Sequence, residues 1–121
     1  FAPHSRYSYV NEADIKTIND LEILAASDDA GVYLVASKDC REVYITGHPE
    51  YDTDTLKGEY ERDLLKGIAI DPPKNYFPGD DTSKPPKSIW RSHAHLLYSN
   101  WINHCIYQNT PYNIDEIGKR K

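Results

Sequence analysis

A chain of 121 residues with 14 Lys and Arg against 19 Asp and Glu carries a formal charge of −5 with histidine neutral. That length allows one small domain at most, and the acidic balance argues against a nucleic-acid partner, because the only basic cluster is Lys119, Arg120 and Lys121. Apolar residues at 39%, with two Trp and ten Tyr among them, supply enough surface for a core and argue against wholesale disorder.

No stretch approaches the roughly 18 consecutive apolar residues of a membrane span, and no signal pattern opens the chain, so a soluble protein with no membrane partner is expected. Phe1 stands first and Met occurs nowhere. The expectation is a piece of something longer, with part of an active site lying upstream.

In chain order, residues 1–10 mix aromatic, small and polar residues around Pro3, which predicts an extended or looped segment. Asn11 to Asn19 predicts a short helix capped by Asn11, with Glu12 and Asp14 in the first turn and Ile15 and Ile18 facing inward. Three apolar, β-branched-rich runs, Leu21–Ser27, Gly31–Ser37 and Glu42–Gly47, predict strands joined by hairpin-length connections. Asp52 or Thr53 is the expected cap of a helix from about Asp54 to Lys66, with Leu56, Tyr60 and Leu64 in one stripe and Gly67 as its stop.

Pro72, Pro73, Pro78, Gly79, Pro85 and Pro86 make residues 68–89 a long surface loop in which Tyr76 and Phe77 call for burial. A last helix, from a cap near Ser92 to about Tyr107, repeats Leu97, Trp101 and Cys105 every fourth residue, widened by Ile102 and Ile106. This stripe predicts core packing.

Cys40 and Cys105 match neither a metal-ligand spacing nor a disulfide-dense secreted pattern, so a reducing cytoplasm fits best. One helix face cannot present His93, His95 and His104 together, and the pair Asp80-Asp81 reads as a solvated turn, so no metal site is expected.

The segment Tyr44-Ile45-Thr46-Gly47-His48-Pro49-Glu50-Tyr51-Asp52 carries the clearest chemistry. A histidine just past a strand, stiffened by Pro49 and followed by a carboxylate two residues on, suits the base and orienter of a nucleophilic triad. A turn histidine hydrogen-bonded to backbone is the alternative that spacing alone leaves open.

Thr46-Gly47-His48-Pro49-Glu50-Tyr51-Asp52 resembles the His-Pro-Glu end of the Cys-His-Glu triad in class I glutamine amidotransferase-like proteins. More narrowly, the chain resembles the carboxy-terminal part of the homoserine O-acyltransferases, which transfer succinyl or acetyl groups. The resemblance runs through Pro3-His4-Ser5-Arg6-Tyr7, residues 31–39, Asn75-Tyr76-Phe77-Pro78, Trp90-Arg91-Ser92-His93-Ala94-His95, Ser99-Asn100-Trp101, and Tyr107-Gln108 with Thr110-Pro111-Tyr112. It covers nearly the whole chain.

The resemblance implies an α/β fold, residues 1–121 being the carboxy-terminal part of one flavodoxin-like three-layer domain. It implies His48 as triad base, Glu50 as its orienting carboxylate, Arg62 as the group that binds the homoserine carboxylate, and Ser5 as a substrate hydrogen-bonding residue. For Arg62 the residues alone suggest an exposed ion pair with Glu59 at i−3. The family's nucleophilic cysteine lies upstream of the Pro-His-Ser-Arg segment, so residues 1–121 hold no nucleophile and should not transfer an acyl group by themselves. Cys40 falls in a turn where the family usually has a small residue and Cys105 on an apolar stripe, and both are expected to be inert.

The implied reaction is ping-pong acyl transfer from acyl-coenzyme A to L-homoserine in methionine biosynthesis, in a cytoplasmic homodimer. Coenzyme A enters as a cosubstrate, and no metal or prosthetic group is called for. Two rivals stand beside it: a glutamine amidotransferase-type hydrolase, and a non-catalytic binding domain derived from the enzyme.

Overall fold

The computed structural model describes residues 1–110 and 112–119; Pro111 and two members of the basic end, Arg120 and Lys121, lie outside the described residues. The first helix, α1, is the single turn Glu12–Ile15, entered from an extended Asn11 whose side chain accepts the Ala13 N–H at 3.1 Å. It stops short of the predicted Asn19. The Thr17 hydroxyl takes the Asp14 carbonyl at 2.7 Å and the chain turns instead of winding on. Ile15 is therefore buried as expected, whereas Ile18 is 49% exposed and not inward-facing.

Strands β1 (Leu21–Ser27), β2 (Gly31–Ser37) and β3 (Val43–Ile45) form one antiparallel meander in that order. Pairing runs from Leu21 opposite Ser37 to Ser27 opposite Gly31, with a bulge around Leu24, and from Leu34 opposite Ile45 to Ala36 opposite Val43. Leu24 lies on the outer face with Glu22, in the alternation of the strand. Val32 and Val35 of β2 pack with Ile15, Leu21 and Ile23 in one core cluster. Beyond β3, the Thr46 N–H still reaches the Tyr33 carbonyl at 2.9 Å, which carries the ladder to the edge of the His-Pro-Glu segment.

Helix α2 (Thr55–Leu65) starts at Asp54 without a side-chain cap bond, so neither Asp52 nor Thr53 caps it as predicted. Gly67 at φ +73° terminates it, in a conformation that costs glycine little. Of the predicted stripe, Leu56 is buried and Leu64 is 45% exposed. A second core cluster joins Leu56 to Tyr76, Phe77 and Trp90, with Tyr51 against it. The long Pro-rich loop is thus tied down by its aromatic residues. Its acidic pair serves its own backbone: Asp80 accepts the Asn75 N–H at 2.7 Å and Asp81 the Ser83 N–H at 3.0 Å.

The last helix begins as α3 (Arg91–Asn100), passes into π-helical winding over Trp101–Ile106 and closes with the α-turn α4 (Tyr107–Asn109). Trp90, not Ser92, stands at its N-cap. The predicted core stripe is not buried: Trp101, Ile102 and Ile106 are each about two-fifths exposed. Bonds to the fifth residue replace those to the fourth here, so side chains spaced by four no longer share one face.

Cys105 meets Cys40 of the β2–β3 turn in a disulfide, with Cα atoms 5.3 Å apart. This corrects the expectation of two separate inert thiols. Hairpin turn and helix end are brought together by the fold across 65 residues, a distance at which sequence spacing carries no pairing signal.

The described residues thus mix helix with strand, as the α/β expectation has it, around a small antiparallel sheet. None of their helices is long and apolar enough to cross a membrane.

Candidate active site

The site forms where β3 ends. Residues 1–10 lie extended against this edge because the Arg6 guanidinium reaches the carbonyls of Val32 at 3.4 Å, Thr46 at 3.3 Å and Ala30, and because the His48 N–H donates to the Pro3 carbonyl at 2.8 Å. Gly47 is required for that approach. A Cβ at this position would stand 2.9 Å from the Pro3 carbonyl oxygen and about 3 Å from the His4 ring. Because the nearest obstacle is backbone, Gly47→Ala is expected to push residues 1–10 off the sheet edge and displace His48 with them. Loss of activity in the full-length protein, with faster hydrogen exchange at the His48 amide, is the expected outcome; an unaltered exchange rate would contradict it.

His48 Nδ1 lies 2.8 Å from Glu50 Oε1, the two side chains bridging the proline turn. The alternative of a histidine bonded only to backbone is therefore not what the fold adopts. Burial pushes the Glu50 carboxyl up, but the His48 hydrogen bond, its own backbone and the His48 charge together hold it below its ordinary value. The Tyr51 ring stacks on the His48 imidazole at 4.3 Å between centroids, and its hydroxyl donates to Glu59 Oε1 at 2.8 Å. Burial, the Glu59 bond, and the Glu59 and Glu50 charges push this phenol up to about 12, while Ser5 beside it works the other way. Tyr51 stays protonated and remains a donor.

The loop aromatics fix this segment from behind. The Trp90 indole N–H donates to the Tyr51 carbonyl at 3.0 Å, and the Tyr76 hydroxyl donates to the Thr53 carbonyl while receiving the Lys57 N–H at 3.2 Å. His4, held by its contact with Gly47 and edge-on to Tyr33, is kept below the ordinary histidine value by burial and by the Arg6 and His48 charges.

Arg62, on the third turn of α2, pairs with Asp63 rather than with Glu59 as the residues alone suggest. Nε and Nη2 reach the two Asp63 oxygens at 2.8 and 3.1 Å, and the Tyr7 hydroxyl adds a third bond at 3.0 Å. Asp63 is buried, and the Arg62 bond holds its carboxyl low against the pull of burial, with Tyr7 assisting. The Arg62 side chain remains 53% exposed, so the guanidinium is oriented without being used up.

The structure thus brings His48, Glu50 and Ser5 to one end of the sheet, with Glu59 linking Tyr51 to the neighbourhood of Arg62. Sequence reasoning missed Tyr51, Glu59, Tyr7 and Asp63 as members. Tyr51 was within reach, since it stands inside the His-Pro-Glu-Tyr-Asp motif. Asp63 was not, because its hydrogen-bond partner Tyr7 lies 56 residues away in sequence. A wide groove bounded by Pro3, His4, Tyr7, Tyr33 and Trp90 includes neither His48 nor Glu50. Among the described residues, no three His, Cys, Asp or Glu side chains gather as a metal site.

A family model described as homoserine O-succinyltransferase matches residues 1–112, which takes in the strand end, the histidine–glutamate pair and both remaining helices. The chain belongs to the homoserine O-succinyltransferase family. Its relatives include a homoserine O-succinyltransferase of Tolumonas auensis, 54% identical over 98% of this chain and 38% of that protein. A homoserine O-acetyltransferase of Thermotoga petrophila is 55% identical over 97% of this chain and 38% of its own length. Another, from Geobacillus kaustophilus, is 59% identical over 91% of this chain and 36% of its own. The chain therefore spans about 38% of the length of the first two relatives. Both acyl groups occur among family members of similar identity, so membership alone leaves the donor open.

Proposed function

We propose that residues 1–121 are the carboxy-terminal part of one flavodoxin-like, class I glutamine amidotransferase-like three-layer domain. The whole protein, in this reading, transfers an acyl group from acyl-coenzyme A to the side-chain hydroxyl of L-homoserine. The observation that carries it is the 2.8 Å bond between His48 Nδ1 and Glu50 Oε1 in a chain of this family. With Nδ1–H given to Glu50, the imidazole is in the tautomer that leaves Nε2 free to accept a proton.

The reaction then runs in two halves. A cysteine outside residues 1–121 passes its thiol proton to His48 Nε2 and attacks the thioester carbonyl; the bond from that carbonyl to the coenzyme A sulfur breaks, and the leaving thiolate takes that proton from His48. Homoserine next gives its hydroxyl proton to His48 Nε2 as its oxygen attacks the new thioester, and the cysteine leaves as thiolate. Cys40 and Cys105 are bonded to each other and offer no thiol for this. Arg62 takes the substrate carboxylate with the part of its fork that Asp63 leaves, and Ser5 hydrogen-bonds the substrate in the same pocket. The protein acts as a cytoplasmic homodimer in methionine biosynthesis, with coenzyme A as cosubstrate and no metal or prosthetic group.

The test is an assay of the full-length protein with L-homoserine and either acetyl- or succinyl-coenzyme A. Homoserine-dependent release of coenzyme A, with O-acylhomoserine identified by mass, is expected from one donor. Ammonia release from glutamine, or homoserine binding without turnover, would replace the reading by one of its rivals.

A further inference from the structure

The Cys40–Cys105 bond takes no part in acyl transfer, yet it closes a ring through the site. That ring runs from the β2–β3 turn along β3 to His48 and Glu50, through α2, and by way of Trp90 into the last helix. Its far end is held by little else. Trp101–Ile106 packs on α3 before it and on α4 after it, and among the described residues no strand packs closely against either turn. Trp101, Ile102, Ile106 and Tyr107 stand exposed there.

No buried shell surrounds the bond. Both cysteines are partly exposed, and their neighbours Asp39, Arg41, His104 and Ile106 are exposed. In a cytoplasmic protein, where glutathione and dithiols keep thiols reduced, a disulfide open to solvent is usually a transient or redox-sensing one.

The two sulfurs differ as leaving groups. Cys40 lies between Lys38 and Arg41, and the intervening Asp39 carboxylate is engaged by the Ser37 hydroxyl at 2.6 Å and the Arg41 N–H at 3.1 Å. Cys105 stands near the carbonyl end of the last helix, whose partial negative charge opposes a thiolate. Cys40 is therefore the sulfur that leaves and Cys105 the one attacked.

We propose that Cys40–Cys105 is a reversible thiol-exchange site at which a dithiol releases the last helix from the hairpin turn. A thiolate of the dithiol attacks Cys105 Sγ; the bond between the cysteines breaks, and Cys40 leaves as a thiolate that takes a proton from water. The second thiol of the reductant, having lost its proton, attacks its partner sulfur in the mixed disulfide. Cys105 is freed and protonated, and the reductant departs as a disulfide. Two electrons and two protons pass to the cysteine pair, and glutathione disulfide runs the exchange backwards.

The experiment treats oxidised full-length protein, under conditions that keep it folded, with reduced glutathione, a monothiol that leaves a mixed disulfide. The reaction is stopped with N-ethylmaleimide and the adducts are placed by peptide mass mapping. Glutathione on Cys105 with maleimide on Cys40 is the expected result. The reverse labelling overturns the assigned direction of attack, and an intact Cys40–Cys105 bond makes it a permanent brace and overturns the proposal. Dithiothreitol should then speed amide exchange over residues 101–109 by roughly tenfold or more in wild type and leave Cys105→Ser unchanged. Equal exchange in oxidised and reduced wild type would mean that the bond latches nothing. No readout here uses acyl transfer, so failure of that reading would leave this result standing.

Discussion

His48→Asn in the full-length protein is expected to abolish formation of the acyl-enzyme thioester. Asparagine is close to histidine in reach and keeps a polar contact toward Glu50, but it cannot take up and return a proton. Loss of one triad member lowers turnover by about 10⁴-fold or more in enzymes of this logic. Glu50→Gln should act in the same direction through the tautomer: an amide at 2.8 Å from Nδ1 can donate to it, which moves the ring proton to Nε2 and blocks acceptance there. Incubation with acyl-coenzyme A and intact-mass measurement checks both, since the acylated protein is heavier by the acyl group. Full acylation of His48→Asn would mean that the imidazole is not the base, whatever its distance to Glu50. The stack of Tyr51 on His48 sharpens the comparison, because the asparagine variant also loses that face.

The parts of this site that could be read from residues are those set by local rules. β1 and β2 were legible to the residue, because alternation and β-branching end where Asp28-Asp29-Ala30 and Lys38-Asp39 turn the chain. His48 and Glu50 were legible as a candidate pair because a proline turn sets them two residues apart, and the 2.8 Å bond between them decides against a histidine held only by backbone. Contacts between distant segments were not legible. The Arg6 bonds to three carbonyls, the clamp of Trp90 and Tyr76 on residues 51–53, and the Tyr7–Asp63 bond depend on where the meander delivers its edges.

Two misreadings have the same physical origin. Ile18 and the stripe of the last helix follow a helical period that the backbone abandons, the first by turning after Ile15 and the second by π-winding from Trp101. Leu64 is different: the helix is there, but its last turn extends past the aromatic cluster that buries Leu56. Periodicity says which residues share a face and not whether anything lies against it.

The Cys40–Cys105 bond leads to the second large expectation, that oxidised full-length protein loses about 4 kcal/mol of stability in Cys105→Ser. Closing a loop of 65 residues removes roughly that much conformational freedom from the unfolded chain in the entropic account. The bond also ties the exposed last helix to the sheet, where few other contacts hold it, so the loss should show first in hydrogen exchange over residues 101–109. Cys40→Gly breaks the same bond but should cost about 1 kcal/mol less, because Cys40 sits at φ +60° and glycine is unstrained there. Denaturant midpoints measured without reductant separate the three proteins in the order wild type, Cys40→Gly, Cys105→Ser. Reductant should bring wild type down toward the Cys105→Ser midpoint and leave both variants where they were. Equal midpoints for wild type and Cys105→Ser without reductant would show that the two sulfurs do not brace the fold. The φ of Cys40 gives the pairing a reason in the backbone: a turn that favours glycine carries a cysteine, and its side chain is used.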